Sequence, residues 1–445
     1  MIYILVIYFT IILVIGFKTK ESKSTKDFIY AGRKLTAIPL AFTLVTTWYG
    51  GISIIGQEIA WNGISTWIYF CLTYYIAAYI YSEFISDKII DRDISSLSDG
   101  ILKYMGKKSA IISIPIILLY LSPAPYLIML GNIIDKFAFN SQNFGVSVLI
   151  GALVSTLYCF KGGFKSIINT DRYQFIFMFS GFLLMIIYII FYYDYGFAKL
   201  GNIYANNPKL FNIPGNEGWS YIIAWGFLAI LTFIDPSFHQ RTFASKNKNE
   251  IKKGIRISIL CWFIFDMMTL FCGLYAINMP LETPYISLSE TIFKGAPIFE
   301  AIFIIGILSI IMSTIDSFTF ISAITIGRDV RKIFNKSYSQ NHINWGLFLS
   351  IIISLIIILF FDNNHISAIW FKFGSYMVSS LLVPFLLIAL NIKIKKPFIL
   401  ILLPTVITIF LDIMQIDSKI LLYPGLCLSI ILSMIFKART KQSLN

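Results

Sequence analysis

Apolar runs of about 20 residues recur along the whole chain and leave very few folds open to it. A run of this length spans the hydrocarbon core of a bilayer as an α-helix. In lipid every backbone polar group must be paired within the protein, which only helices and closed β-barrels achieve. Strand-length segments of alternating hydrophobicity, the pattern of a barrel, do not occur in the sequence. The runs therefore predict an all-α polytopic membrane protein.

The composition supports a membrane location. Of the 445 residues, 57% are hydrophobic and only 13% are charged, whereas soluble domains carry about 25% charged residues. The mean hydropathy is +0.77. We predict thirteen transmembrane helices, at residues 2–17, 37–60, 65–86, 109–130, 145–160, 173–194, 219–238, 256–278, 298–327, 345–361, 367–390, 397–413 and 420–436.

The distribution of basic residues predicts the orientation. The net charge of +13 suggests a nucleic-acid partner. If the N-terminus lies outside, however, 30 of the 36 Lys and Arg fall in predicted cytoplasmic segments. Cytoplasmic enrichment of this kind sets topology. We therefore predict a multi-pass plasma-membrane protein whose C-terminus lies in the cytoplasm and whose first helix is retained. Its partner is the lipid bilayer rather than nucleic acid. The predicted outer loops hold five lysines, Lys136, Lys199, Lys209, Lys294 and Lys419.

Several functional classes are disfavoured. The longest predicted loops have only about 20–25 residues, so we expect neither a soluble domain nor an obligatory protein partner. The sequence contains no GxxxxGK[ST] phosphate loop. The five cysteines lie in or beside apolar runs without metal-ligand spacing, and we interpret them as packing residues. We predict no organic cofactor, and we place the three histidines in loops or at a span edge: His239, His342 and His365.

Predicted helices two and nine carry unusual sequences. Helix two contains Thr46-Thr47-Trp48-Tyr49-Gly50-Gly51, a poor helix former that unwinds at little cost, although adjacent glycines also permit a close helix crossing. Helix nine carries several hydroxyls and Asp316 near its centre. Hydroxyls can bond back to their own helix, but a carboxylate at membrane depth is expensive unless it binds something. A broken helix facing a hydroxyl-rich helix would supply oxygen ligands for a small cation.

A weak internal repeat is also predicted. Helices two to six and seven to eleven form two sets of five, and an odd number makes the second set start from the opposite side of the membrane. Helix seven then matches helix two, and its Asp235-Pro236 pair breaks the helix ladder. The predicted organisation is a first helix and loop at 1–36, repeats at 37–194 and 195–390, and two final helices at 391–445.

Five segments together resemble the sodium/solute symporter family, which includes bacterial proline, pantothenate, sialic acid and sugar symporters. They occur in the family's order and on the expected helices. The resemblance implies an alternating-access, LeuT-type core of five plus five inverted helices with a sodium ion near the midplane. The segments are Asp27-Phe28 with Ala31-Gly32-Arg33, TTWYGG at 46–51, Gly162-Gly163-Phe164-Lys165-Ser166 with Thr170-Asp171, Asp235-Pro236 with Gln240-Arg241, and Ile311-Met312-Ser313-Thr314-Ile315-Asp316-Ser317 with Arg328-Asp329.

The resemblance also implies the sodium ligands. Carried over to this sequence, they are the carbonyls of Thr46 and Tyr49, where the first core helix breaks, and the Ile310 carbonyl of helix nine. The hydroxyls of Ser313 and Thr314 complete the set. Asp171 matches a carboxylate that lies near this site in some members, and the alternative is an interfacial charge at a helix end.

The solute site is less well defined, because Trp48 stands where proline-type members have an acidic residue. Tyr120, Tyr126 and Trp370 are candidates for walls or gates, with lipid-facing packing as the alternative for each aromatic residue. Lys372 lies inside a predicted span, and we hypothesise either that it snorkels outward or that it pairs with Glu58 as an outer gate. The predicted solute-binding residues are Trp48, Gly50, Gly51, Ser53, Gln57, Trp225 and Phe373.

The sequence therefore predicts a sodium-coupled symporter that imports a small organic solute of the amino acid, carboxylate, sugar or vitamin class. A proton-coupled symporter and a passive facilitator or channel of the same fold remain alternatives. A membrane enzyme is disfavoured, because the acidic residues of the spans are scattered over different helices without histidine partners. These residues are Asp235, Asp266, Glu300 and Asp316.

Overall fold

The computed structural model describes residues 2–192, 196–280, 283–360, 366–417 and 420–437. Within these ranges the protein is helical, and its only β-type pairings are two isolated bridges, Leu35 with Ser245 and Ile394 with Lys437. The predicted all-α class is therefore confirmed. His365 and Lys419 lie outside the described residues.

Ten of the described helical segments are long and apolar enough to cross a membrane. Three shorter apolar helices, Ile2–Phe17, Pro397–Ile413 and Leu422–Ile435, coincide with the first and the last two predicted spans. The multi-pass architecture is therefore confirmed, while the count of thirteen crossings stays a prediction.

Residues 2–192 form eleven α-helices. Ser24 caps α2 by accepting a hydrogen bond from the Asp27 amide. The helices are α1 Ile2–Phe17, α2 Thr25–Tyr30, α3 Ala37–Trp48, α4 Ile52–Asn62, α5 Thr73–Ile80, α6 Ser86–Asp91, α7 Leu97–Tyr120, α8 Ala124–Phe139, α9 Phe144–Thr156, α10 Cys159–Gly162 and α11 Phe164–Phe191. Short 3-10 segments cover Ala31–Arg33 and Tyr49–Gly51, and π-helical segments cover Trp67–Leu72 and Tyr81–Ile85.

The described residues from 196 onward form another eleven. Asn247 caps α15 by accepting from the Glu250 amide. The helices are α12 Gly196–Asn206, α13 Gly218–Phe227, α14 Pro236–Ala244, α15 Lys248–Tyr275, α16 Pro284–Ile292, α17 Pro297–Ile324, α18 Val330–Ile333, α19 Gln340–Phe360, α20 Ile366–Ala389, α21 Pro397–Ile413 and α22 Leu422–Ile435. Pro208–Phe211 and Leu228–Phe233 are 3-10 segments, and Thr325–Asp329 is π-helical.

Several predicted spans have boundaries that differ from the structure, and two of them show why. Span 109–130 straddles the interruption between α7 and α8, where Pro123 removes a backbone donor. Span 173–194 begins too late, because α11 already starts at Phe164. Its polar first turns, around Lys165 and Asp171, lower the hydropathy and hid the helix start.

Two helices are interrupted near the centre of the molecule. The break between α3 and α4 is a 3-10 turn over Tyr49–Gly51, which falls where the glycine pair predicted it. Between α13 and α14 the chain passes through the 3-10 segment Leu228–Phe233. Asp235 then adopts an extended conformation and caps α14 ahead of Pro236.

Glycines let α11 and α17 cross closely. A Cβ on Gly181 would lie 3.2 Å from the Ile302 carbonyl oxygen, and one on Gly306 would lie 3.0 Å from the Phe177 carbonyl oxygen. Small residues at a crossing allow two backbones to approach each other in membranes. The two helices therefore pack side by side along the centre of the protein.

The short helix α2 holds together several distant segments, and we call this cluster the α2 junction. Asp27 pairs with Lys165 of α11 at 2.5 Å, and the Ile29 carbonyl accepts from Gln240 of α14 at 2.5 Å. The Tyr30 hydroxyl donates to the Ser95 carbonyl at 2.7 Å and accepts from Arg328. The α2 junction thus ties α2 to α11, to α14, to the loop before α7 and to the π-helical segment after α17.

Candidate cation and solute sites

The break in the first core helix packs directly against α17 at Thr314. A Cβ on Gly50 would lie 2.4 Å from the Thr314 hydroxyl oxygen, so only glycine permits this contact. The Thr314 hydroxyl donates to the Thr47 carbonyl at 2.8 Å and lies 3.3 Å from the Ile310 carbonyl. The structure therefore brings Thr314 and Ile310 to the break. The carbonyl in contact with Thr314 is that of Thr47, and Thr46 and Tyr49 flank it in the same turn.

Asp171 of α11 lies beside this contact. Its carboxylate is fully buried and accepts hydrogen bonds from Ser313 at 2.6 Å and from Thr43. The Thr47 hydroxyl lies 3.3 Å from that of Ser313 and 3.1 Å from that of Ser317. Asp171 is therefore an interior residue and not an interfacial charge at a helix end, so that alternative is wrong.

Arg241 is the main residue of this region that the sequence analysis misplaced. Because the predicted seventh span ends at residue 238, we counted Arg241 among the cytoplasmic basic residues, but its side chain is 1% exposed within α14. Its guanidinium donates to the hydroxyls of Thr47 at 2.7 Å, Ser317 at 2.9 Å and Thr43 at 3.0 Å. The Arg241 Nη2 atom lies 4.0 Å from the Asp171 carboxylate. The Gln240-Arg241 motif thus places a buried cation beside a buried carboxylate. In the sequence alone, the charge of Arg241 predicted a loop at this position.

His239 also lies deeper than predicted. We placed it at a span edge, whereas it is 1% exposed within α14. Its Nε2 atom lies 2.9 Å from the Phe233 carbonyl oxygen, and its ring stacks on Phe385 at 4.8 Å. These neighbours explain how an imidazole is buried at this position.

The oxygen atoms around Asp171 form a donor set that suits a small hard cation. The Ser313 hydroxyl contacts the Asp171 carboxylate, and the hydroxyl of the next residue, Thr314, lies at the helix break. Hard cations prefer such oxygen ligands. Asp316 is fully buried one turn further along α17 and accepts from the Tyr158 hydroxyl at 2.5 Å. Its other carboxylate oxygen has no hydrogen-bond partner within the described part of the chain. The residues present therefore fit a sodium ion.

A cavity opens on the other side of the same break. Trp48, Tyr49 and Gly51 line it, so two of the predicted solute-binding residues, Trp48 and Gly51, reach it. The structure also brings three predicted wall or gate residues to the cavity, Tyr120, Tyr126 and Trp370. The short segment 46–51 thus contacts α17 on one side and lines the cavity on the other.

Other predicted solute-binding residues do not line this cavity. Gly50 faces Thr314 instead. Trp225 lies behind the wall, with its ring stacked on that of Trp370 at 6.3 Å and near that of Phe70 at 5.3 Å. The remaining three predicted residues, Ser53, Gln57 and Phe373, are absent from the lining of the described cavity.

Two carboxylates that the sequence analysis dismissed meet at the cavity. Asp235, at the start of α14, and Asp266, in the middle of α15, both line it, and each is 3% exposed. Ionisable groups inside membrane spans mark functional sites by default, and that rule alone would have identified them. Their scatter along the sequence suggested unrelated positions, whereas the packing of α14 and of α15 against α3 places both at one cavity.

The predicted pair of Glu58 and Lys372 is not formed in this structure, and the pairing hypothesis is corrected. The Lys372 ammonium lies 2.8 Å from the Asp412 carboxylate of α21. Glu58 accepts from the hydroxyls of Tyr69 at 2.6 Å and Tyr221 at 3.0 Å. Lys372 is therefore tied to one of the two final helices, which the sequence pattern of α20 did not indicate.

We expect Lys372→Met to lower the stability of the protein by about 1 kcal/mol or less and to leave solute preference unchanged. The Lys372 and Asp412 side chains are 32% and 18% exposed, and partly exposed ion pairs contribute little. Thermal unfolding and a solute competition series would measure both effects, with Asp412→Asn as the matched partner. If Lys372→Met changed the solute preference and Asp412→Asn did not, the hypothesis that Lys372 forms an outer gate would be supported again.

Comparison with solved structures identifies the fold. The fold matches that of a Na+-coupled sialic acid symporter in a substrate-bound outward-open state, with a TM-score of 0.76 at 15% identity over 97% of this chain and 96% of that one. A nucleobase-cation-symport-1 family transporter bound to bromovinylhydantoin matches with a TM-score of 0.62 at 12% identity, over 94% and 96% of the two chains. The chain therefore shares the fold of these two solved transporters.

Sequence comparison gives the family. The family model described as sodium:solute symporter family matches residues 28–394, and the chain belongs to that family. The human sodium-coupled monocarboxylate transporter 1 is 24% identical over 73% of this chain and 56% of its own length. The Bacillus subtilis high-affinity proline transporter PutP is 28% identical over 52% of each chain. The chain thus spans about half the length of these two curated relatives.

Proposed function

We propose that the protein is a sodium-coupled symporter that carries a small organic solute across the membrane by alternating access. The observation that carries this proposal is the oxygen cluster of Asp171, Ser313 and Thr314, which lies against the helix break whose next residues line the cavity. A cation held there contacts the chain segment that forms the solute site. Membership in the sodium:solute symporter family supports the same ion.

Ion and solute are coupled through residues 46–51. Thr47 contacts Thr314 through its carbonyl and also lines the cavity, while its neighbours Trp48 and Tyr49 form the wall. A sodium ion that bridges α3 and α17 therefore fixes the wall against which the solute packs. Carbonyls of an interrupted helix are a recurrent source of sodium ligands in transporters, and Thr46 and Tyr49 remain the proposed carbonyl ligands.

The energetics suffice for uphill transport. One positive charge moving through about 100 mV supplies ~2.3 kcal/mol, and a tenfold sodium gradient adds ~1.4 kcal/mol. Together these terms correspond to a concentration ratio of a few hundred for a neutral solute carried with one sodium ion. No covalent chemistry is required.

We also propose the topology that the sequence predicts. The N-terminus lies outside, the C-terminus lies in the cytoplasm, and residues 37–194 and 195–390 form inverted repeats. The two interrupted helices, α3–α4 and α13–α14, are the first elements of the proposed repeats. Interrupted helices in corresponding positions of two halves are typical of transporters built this way.

Thermal unfolding of the purified protein in sodium and in potassium, at equal ionic strength, tests the proposed ion site. We expect sodium to stabilise the wild type, by up to about 2.7 kcal/mol at a hundred times its dissociation constant. Thr314→Ala is expected to abolish the sodium effect because it removes the hydroxyl at the helix break. Thr319→Ala, which removes another buried hydroxyl from α17, is the matched control and should keep the effect.

The alternatives give different results. Equal stability in sodium and potassium, with uptake that follows a pH gradient, would replace sodium by protons as the coupling ion. Uptake into proteoliposomes that never exceeds the external solute concentration would show a passive facilitator. In either case the proposed sodium coupling would be rejected.

A further inference from the structure

Two acidic side chains line the cavity without a matching cation. Asp235 and Asp266 line it, and no Lys, Arg or His does so within the described part of the chain. The nearby buried guanidinium of Arg241 is engaged elsewhere, with the hydroxyls of Thr43 and Ser317 and beside Asp171. Buried carboxylates are stable when a positive charge accompanies them. The cavity itself therefore lacks a counter-charge that a solute would supply.

Asp266 is held in place by neutral donors. The Tyr49 hydroxyl donates to one of its oxygens at 2.8 Å, and the Tyr75 hydroxyl donates to the other. These bonds orient the carboxylate, but they bring no positive charge. Each carboxylate oxygen accepts about two hydrogen bonds, so Asp266 keeps acceptor capacity. It is the carboxylate best placed to bind a cationic group.

Asp235 removes a feature that would favour an anionic solute. The start of a half-helix, with its free amide groups, is a ready site for a substrate carboxylate. Here the Asp235 carboxylate occupies the start of α14 itself, accepting from the amides of Ser237 at 2.6 Å and Phe238 at 3.2 Å. Its second oxygen accepts from the Tyr120 hydroxyl at 2.5 Å. An incoming carboxylate would meet a carboxylate where it needs amide donors.

The remaining wall is aromatic. The rings of Trp48 and Tyr74 meet edge to face at 5.1 Å, and those of Tyr126 and Phe318 at 5.4 Å, and all four residues line the cavity. Aromatic rings attract cations, most strongly when water is excluded. The Tyr74 hydroxyl is buried without a hydrogen-bond partner among the described residues. It is available to a polar group of the solute.

We propose that the solute is a small organic cation, an amine or a quaternary ammonium ion, whose charge Asp266 counters and whose carbon skeleton packs on the aromatic rings. Asp235 adds negative potential and blocks the helix start. This inference rests on the proposed function and names its substrate class. It departs from the relatives named for monocarboxylates, whose solutes carry the opposite charge.

Paired probes that differ mainly in charge test the inference. The full-length protein in sodium would be titrated with choline and with 3,3-dimethylbutan-1-ol, in which carbon replaces the quaternary nitrogen. Butylamine and butan-1-ol form a second pair, and propionate is the anionic probe. We expect thermal stabilisation by at least one cation and none by its neutral partner or by propionate.

The variant Asp266→Asn keeps the size of the side chain and removes its charge. We expect it to weaken cation binding at least about tenfold, because a desolvated charge pair is lost. The control is Asp135→Asn, at another buried aspartate, which accepts from the Asn143 amide outside the cavity. Asp135→Asn should bind the cation as the wild type does.

Three results would overturn the inference: stabilisation by neither cation, equal stabilisation by a neutral partner or propionate, or unchanged cation binding in Asp266→Asn. None of them touches the sodium assignment, which is tested separately by the sodium shift of the solute-free protein and by Thr314→Ala. Loss of the sodium shift with retained cation selectivity would instead reject the coupling ion and keep the substrate class.

Discussion

Arg241→Met is expected to destabilise the folded protein by about 3–5 kcal/mol, the range for removing one partner of a buried ion pair. The substitution removes the guanidinium that lies 4.0 Å from Asp171 and leaves that carboxylate buried without its cation. It also strips hydrogen bonds from the hydroxyls of Thr47 and Ser317. Thermal or denaturant unfolding in detergent would measure the loss.

Two further variants show whether the loss comes from the pair. Asp171→Asn in the Arg241→Met background is expected to recover part of the stability, since it removes the orphaned charge. Arg256→Met breaks a pair with Glu83 in which the arginine is 55% exposed, and we expect about 1 kcal/mol or less. Additive effects of Arg241→Met and Asp171→Asn would contradict a direct interaction between the two residues.

Gly50→Ala is expected to abolish or strongly weaken the response to sodium. The added methyl would lie 2.4 Å from the Thr314 hydroxyl oxygen and 2.6 Å from its Cβ and Cγ2 atoms. All three atoms belong to a short β-branched side chain within a helix, so α3 and α17 must separate. Overpacking of this kind costs about 1–3 kcal/mol, and a loss of that size in sodium binding corresponds to roughly five- to 150-fold weaker affinity. The midpoint of the sodium-induced thermal shift measures it.

The neighbouring glycine provides the control. A Cβ on Gly51 would meet only the Ile54 Cδ1 atom, at 3.6 Å, which is ordinary contact. We therefore expect Gly51→Ala to retain the sodium-induced shift. A normal sodium midpoint in Gly50→Ala would show that the contact between Gly50 and Thr314 does not shape the ion site.

The helices and the helix break could be predicted because their causes are local. Apolar runs fix the spans through hydropathy, and the pair Gly50-Gly51 weakens the helix at the place where the 3-10 turn forms. The motif around Ser313 and Thr314 likewise indicated the helix that faces this break. In each case a few neighbouring residues carry the physical signal.

The rest of the site depends on packing between distant segments. Arg241 was assigned to a loop because charge is the usual mark of a loop, yet Asp171 on another helix allows its burial. Asp235 and Asp266 meet only because α14 and α15 fold around the same cavity. Lys372 was matched with Glu58, but α21 supplies Asp412 as a nearer partner. Such pairings need the three-dimensional arrangement of the helices.

The α2 junction has a consequence for the movement of the protein. Helix α2 has six residues, too few for a helix that is stable alone, and its position depends on Lys165, Gln240 and Arg328 together. When the segment that carries one of these three residues moves away, α2 loses that contact. Its contacts with the other two segments then become weaker. In the proposed transport cycle we therefore expect the end of the molecule that carries α2 to open cooperatively, in one step, with intermediate degrees of opening sparsely populated.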